Sequence, residues 1–223
     1  DGGIQWMAYA LAPVEEGTTR RRKDSMPEAQ VKLLMPMDAL KVVGLHNAAN
    51  AMAALALGYS VGLPIGKMLH GLRAYAGEPH RVEHVLNLDG VDYYDDSKGT
   101  NVGATVAALH GLQRACVLIA GGQGKGQDFS PLAAPVKAHC RAVVVFGQDA
   151  DSIQSALDAV KPVHRVASMK EAVSLASSLA QAGDCVLLSP ACASLDMYAN
   201  YVARAEHFVS EVKELALDRG QVC

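Results

Sequence analysis

From Val85 onward the chain alternates short, continuous apolar runs with helix-like segments, and this pattern limits the fold more than any other feature. Cys116–Ala120, Val143–Phe146 and Cys185–Leu188 are apolar along their whole length, and Val163–Val166 is a further short expected strand. A strand without polar alternation is buried on both faces, and strands that alternate with helices predict a parallel sheet covered on both sides. The fold class expected is therefore α/β, with a Rossmann-like domain. Val85–Leu88 and Val91–Tyr94 flank Asp89-Gly90, a strong signal for an antiparallel hairpin. A helix follows through Leu112, a short one is opened by Ser130-Pro131, and another runs from about Ser152 to Val160. Ser168 and Glu171 predict a capping box for a helix to about Gln181, and a long final helix ends near Leu217.

The first third reads differently. Ile4–Leu11 and Val31–Met35 are expected strands, and Ala51–Gly58 is rich in strong helix formers, with Asn47 and Asn50 one turn apart near its start. Gly62-Leu63-Pro64 breaks that helix, and Pro64 is expected at the first position of the next, which runs towards Tyr75. The polar, non-periodic stretch Glu78–Glu83 marks a boundary, giving an incomplete piece at 1–78 and a whole domain at 79–223.

With 223 residues, half of them apolar, the chain can bury a core, and its formal charge of -3 argues against a nucleic-acid partner. The one basic run, Arg20 to Lys23, reads as a solvated loop. Five scattered cysteines without C-x-x-C spacing read as free thiols in a reducing compartment. No charged leader opens the chain, and the Ala-rich stretch from Ala51 to Leu63 is too short and weakly apolar to span a bilayer. A cytoplasmic location without membrane contact is expected.

Loops after the carboxyl ends of parallel strands share one crevice, where open α/β sheets bind ligands. Three such loops carry chemistry here: Asp95–Asn101, Gly121–Gly126 with Lys125, and Ser189–Ser194. Lys98 and Lys125 supply positive charge, while Ser97, Thr100 and Ser194 supply hydroxyls, a set suited to an anionic, hydrogen-bonding ligand. Each loop alone could be an ordinary Gly- or Ser-rich turn. The Gly121–Gly126 run lacks the Lys-Ser/Thr pair of a phosphate-binding loop and the spacing of a dinucleotide fingerprint. His80 and His84 have four-residue metal-ligand spacing, but a linker entering a strand does not bring them together, so no metal site is expected.

Gly44-Leu45-His46-Asn47-Ala48-Ala49-Asn50-Ala51, His80-Arg81-Val82-Glu83 and Asp96-Ser97-Lys98-Gly99-Thr100-Asn101, in this order and spacing, resemble the Mur ligase family. Asp128-Phe129-Ser130-Pro131-Leu132 and Ser189-Pro190-Ala191-Cys192-Ala193-Ser194-Leu195-Asp196 are similar to its D-glutamate-adding members, and the Asp-x-Pro-Arg motif of diaminopimelate- or lysine-adding members does not occur. The resemblance runs over nearly all of the chain. It departs from the family at Gly99, where many relatives have Ala, and at Tyr201, where Phe is expected.

The resemblance implies an enzyme that uses ATP and Mg²⁺ to activate the carboxylate of UDP-N-acetylmuramoyl-L-alanine as an acyl phosphate, which the amine of D-glutamate attacks. It implies that residues 1–78 are the tail of a central ATPase domain and 79–223 the amino-acid-binding domain. Carried over by motif, Asn47, Asn50, Arg81 and Asp96 would bind the nucleotide, and Lys98, Thr100, Lys125, Ser194 and Tyr201 would surround D-glutamate. No Gly-x-x-Gly-Lys-Ser/Thr occurs in the chain, so these residues alone are expected not to ligate, and a monomer is expected. The alternatives are another amino-acid-adding ligase of the superfamily, folylpolyglutamate synthase included, or a non-catalytic binding module on this fold.

Overall fold

The computed structural model describes residues 3–11, 30–42 and 44–221. The basic run at 20–23 and Cys223 lie outside the described residues. The chain divides into two compact units, residues 1–42 with 46–76, and residues 43–45 with 77–223.

In the first unit, β1 (Trp6–Leu11) pairs antiparallel with β2 (Gln30–Pro36). Helices α1 (Leu45–Ser60) and α2 (Ile65–Ala74) follow. Met7 and Met35 from the strands bury against Leu40, Ala48 and Ala51. Pro64 is the extended residue that precedes α2 and not its first helical residue (ψ 122°). Its fixed φ suits either position, and the preceding Gly62-Leu63 turn places it one residue earlier.

The second unit is a six-stranded sheet in the order β3-β4-β8-β5-β6-β7. Its strands are β3 (Glu83–Leu88), β4 (Val91–Asp95), β5 (Cys116–Gly121), β6 (Cys140–Phe146), β7 (Val163–Arg165) and β8 (Cys185–Leu188). Only the β3–β4 hairpin is antiparallel. Its turn has both Asp89 (φ 52°) and Gly90 (φ 81°) left-handed, the conformation that Asp-Gly takes in a two-residue hairpin.

Every residue of β5 is buried, and its side chains alternate between two cores. Leu118 and Ala120 pack with Leu109 and Leu112 of α3 (Val102–Leu112), Val136 of α4 (Ala133–His139) and Ile153 of α5 (Ala150–Leu157). Val117 and Ile119 pack on the other face, with Val173 of α6 (Met169–Leu179) and Phe208 and Val212 of α7 (Tyr201–Asp218). This two-faced burial is why the strands lack polar alternation.

Local signals shifted a few boundaries. The Ser130-Pro131 start is a 3-10 turn before α4, and α5 begins at Ala150 and ends at Leu157 instead of running from Ser152 to Val160. Ser168 Oγ accepts from Glu171 N as a capping box requires, but the Glu171 carboxylate reaches back to Ala167 N. Cys116, Cys140, Cys185 and Cys192 are free and buried. Among the described residues no helix is long and apolar enough to cross a membrane.

Candidate functional site

The carboxyl ends of β4, β8 and β5 are adjacent in the sheet, so the loops that follow them meet. Asp96 N donates to Leu188 O (2.7 Å) and Gly121 N to Pro190 O (2.9 Å), fastening the first and second loops to the third. Gln123 and Ala193 exchange a pair of backbone bonds of 2.8 and 2.9 Å, a one-residue ladder between two loops. That approach needs glycine next door, since a Cβ on Gly122 (φ 125°) would lie 2.3 Å from Ala193 O.

Beneath this surface lies Arg204, the fourth residue of α7, with a fully buried guanidinium. Its Nε donates to Ser97 Oγ (3.0 Å), Nη2 to Ser97 O (2.8 Å), and Nη1 to Cys192 O (3.0 Å) and Gly121 O (3.4 Å). One side chain thus ties all three loops together. Burial pulls its pKa down to about 10, which leaves it charged at neutral pH. Gln127 adds a second brace, accepting from Val102 N at the start of α3 and donating to Ala191 O (2.6 Å).

Of the residues expected around an anionic ligand, Lys98 is exposed, with Nζ 5.4 Å from the centre of the Tyr201 ring. Thr100 is half-buried between Lys98 and Asn101, and Asn101 caps α3 through Ala104 N. Lys125 is exposed on the second loop, in a left-handed conformation (φ 55°). Ser194 is buried at the end of the third loop, where its carbonyl accepts from Tyr198 N. Ser97, read as a ligand hydroxyl, is instead buried, donating to Tyr201 O (2.8 Å) and accepting from Arg204. A cleft of about 550 Å³ between Gly147, Arg165, Glu171 and Met197 holds none of these residues.

Asp96 is buried at 6% exposure and accepts from Ser189 Oγ (2.6 Å), which in turn contacts Thr105 Oγ1 (2.9 Å). Burial raises its pKa to about 7, against the hydrogen bonds from Ser189 and Val82 N and the charge of Arg81. Arg81 is exposed in a strained strap, with His80 (φ 63°) and the β-branched Val82 (φ 50°) on either side. The strap is pinned by His80 Nδ1 to Asp95 Oδ2 (2.7 Å) and by Lys98 N to His80 O (3.1 Å). His84, four residues from His80, pairs instead with Asp92 (3.0 Å). Asn47 and Asn50 lie in α1 of the first unit, half-buried and exposed respectively.

The only group of three ligand-type side chains close enough to hold an ion, among the described residues, is His80, Glu83 and Asp95. Its atoms are engaged with one another and with backbone, since His80 N donates to Glu83 and Ser97 N to Asp95. A histidine nitrogen and two engaged carboxylates do not fit Mg²⁺, which favours octahedral oxygen.

Sequence reasoning missed Arg204, Gln127 and Ser189 as braces. For Arg204 a signal existed: the buried face of α7 recurs every four residues at Phe208, Val212 and Ala216, and stepping back once lands on this arginine.

Residues 80–192 match the family model described as Mur ligase, glutamate ligase domain. The chain belongs to the Mur ligase family. Among curated relatives, it is 57% identical over 228 residues to UDP-N-acetylmuramoylalanine--D-glutamate ligase of Burkholderia mallei, covering 99% of the chain and 45% of that protein. It is also 57% identical over 230 residues to the ligase of that name from Cupriavidus metallidurans, covering 99% of the chain and 46% of the relative. The chain therefore spans somewhat under half the length of these Mur ligases. Two solved structures share the fold: UDP-N-acetylmuramate-alanine ligase of Thermotoga maritima (TM-score 0.60, 19% identity, 84% of this chain and 43% of that one) and folylpolyglutamate synthase of Mycobacterium tuberculosis complexed with ADP (0.60, 18%, 81% and 44%).

Proposed function

We propose that this chain is the amino-acid-binding part, with a portion of the ATPase part, of a ligase that joins D-glutamate to UDP-N-acetylmuramoyl-L-alanine in peptidoglycan precursor synthesis. The observation that supports the reading is the meeting of three loops at one end of the parallel sheet, with Lys98, Thr100, Lys125 and Ser194 on them and Tyr201, the first residue of α7, beside Lys98. A dicarboxylate needs cationic and hydroxyl donors for both of its ends, and these residue types supply them. The 57% identity to D-glutamate ligases supports this substrate over the other amino-acid-adding branches.

In the reaction, ATP converts the alanyl carboxylate to an acyl phosphate. The D-glutamate amine then displaces phosphate to give the amide, with ADP and phosphate as the other products. Lys98 and Lys125 hold the glutamate carboxylates and so leave the amine free to attack. Thr100 and Ser194 fix its orientation by hydrogen bonds, and Tyr201 covers the Lys98 ammonium. Asn47 and Asn50 contact the adenine, while Arg81 and Asp96 contact the nucleotide. Mg²⁺ would neutralise charge on the phosphates when bound, and the residues described here offer no oxygen cage for it. We place residues 1–78 in the ATPase domain and 79–223 in the amino-acid-binding domain of a monomeric cytoplasmic enzyme.

The test is a coupled assay of ADP release by the full-length protein with UDP-N-acetylmuramoyl-L-alanine, ATP and a panel of amino acids. Turnover with D-glutamate alone is expected. Turnover with L-lysine, diaminopimelate or a folate with L-glutamate would overturn the assignment. The 223-residue chain by itself is expected to form no amide.

A further inference from the structure

At the end of the sheet opposite the candidate site, two helices end side by side, each with a histidine in its last turn. His110 lies in the last turn of α3 and His139 is the last residue of α4. His139 Nε2 lies 3.3 Å from His110 Nδ1, the ring centres are 5.3 Å apart, and the planes stand at 88°. His110 is exposed and His139 half-buried, so both rings can be reached from solvent.

Two nitrogens bound to one tetrahedral ion at about 2.0–2.1 Å are held about 3.3–3.4 Å apart. The observed separation already matches. In that geometry each lone pair points about 35° off the N···N line, so the rings must reorient for both to meet at the ion. The carboxyl ends of two helix dipoles make the spot electronegative, which favours a cation there. Lys137, also in the last turn of α4, carries the competing positive charge on that helix.

We propose that His110 and His139 form a two-imidazole site for a divalent first-row transition ion, with water completing its shell. Borderline ions that favour imidazole, Zn²⁺, Ni²⁺ and Cu²⁺, are the class it would take. Binding requires the proton of His110 on Nε2 and that of His139 on Nδ1, and the ion displaces any proton shared between the facing nitrogens. The ion would staple the carboxyl end of α3 to that of α4. The other end of α3 carries Asn101 of the candidate site, about 16 Å away along an eleven-residue helix, so the role is structural.

The test is calorimetric titration of the chain with Zn²⁺ near pH 7.5, with thermal melts in the absence of metal to confirm that each variant folds. His110→Ala and His139→Ala are each expected to weaken binding at least about 10–100-fold, the loss known for even an outer partner of a ligand. His207→Ala, which removes a surface histidine paired with Glu211, is expected to leave it unchanged. With Cu²⁺, the electron paramagnetic resonance spectrum should show two nitrogens in the wild type and one in either single variant. Wild-type Zn²⁺ affinity in both variants, or affinity lost instead in His207→Ala or His80→Ala, would overturn the proposal.

Discussion

Arg204 donates twice to Ser97, through Nε to the hydroxyl at 3.0 Å and through Nη2 to the carbonyl at 2.8 Å, and so locks the middle of the Asp95–Asn101 loop from below. The same guanidinium holds Cys192 O and Gly121 O, so its loss would leave four acceptors on three loops without their donor. Arg204→Met is expected to destabilise the second unit by on the order of 3–5 kcal/mol, the cost of stranding several buried polar groups. Arg204→Lys, with a compact ammonium that cannot fork to both sides, should recover part of this. The single tryptophan, Trp6, lies in the first unit, so hydrogen exchange at the amides of β5 and β8 is the measurement to make.

Asp96 gives the second unit a pH dependence of definite sign. Its folded pKa, about 7, lies above the ordinary value of 3.8, so the folded chain binds the extra proton between these values. Stability from this group is complete below about pH 4 and falls as pH rises towards 7, by up to about 4 kcal/mol. Asp92 and Asp184 act oppositely, since both are held below 3.8 and favour the fold above that pH. Carboxyl carbon shifts should show Asp96 titrating near neutrality. Asp96→Asn should flatten the fall in stability between about pH 4 and 7, and an unchanged slope would remove Asp96 as its source.

Gly122 and Gly126 separate close packing from simple loop geometry. Gly122→Ala would drive a Cβ to 2.3 Å from Ala193 O and 3.3 Å from Arg204 Nη1, and should break the Gln123–Ala193 ladder at a cost of about 2 kcal/mol or more. Gly126→Ala meets open space at φ 75° and should cost about 1 kcal/mol. Denaturant unfolding followed by far-ultraviolet circular dichroism ranks the two, and equal losses would deny the ladder its role.

The Lys98–Tyr201 contact predicts a modest but specific effect. Tyr201→Leu removes the ring beneath the ammonium and should weaken D-glutamate binding several-fold with little change in stability, while Tyr201→Phe keeps the ring face and should stay near wild type. A large loss in Tyr201→Phe would instead point to the hydroxyl as a direct ligand donor.

Much of the fold was legible because its strands are buried on both faces, which prints as unbroken apolar runs in β5 and β8, and because Asp89-Gly90 specifies its own turn. Boundaries of the helices were less so, because α5 starts at Asp149-Ala150 through turn geometry that a periodicity does not register. At the site, the ligand-type residues stood out as charges and hydroxyls crowded into loops. Their supports did not: Arg204 looks like any surface arginine until α7 is packed, and Ser189 becomes a partner of Asp96 only across 93 residues of chain. Ser97 was misread as a ligand hydroxyl for the same reason, since only packing reveals that Arg204 and Tyr201 already occupy it.

The most direct test of the proposed D-glutamate site is a nuclear magnetic resonance titration of the 223-residue chain with D-glutamate. The account predicts shifts concentrated at the amides of 96–101, 121–126 and 189–194, strongly reduced in Lys98→Ala and Lys125→Ala and much smaller with L-glutamate. Shifts centred elsewhere, such as around Gly147 and Arg165, or unchanged by both lysine substitutions, would contradict it.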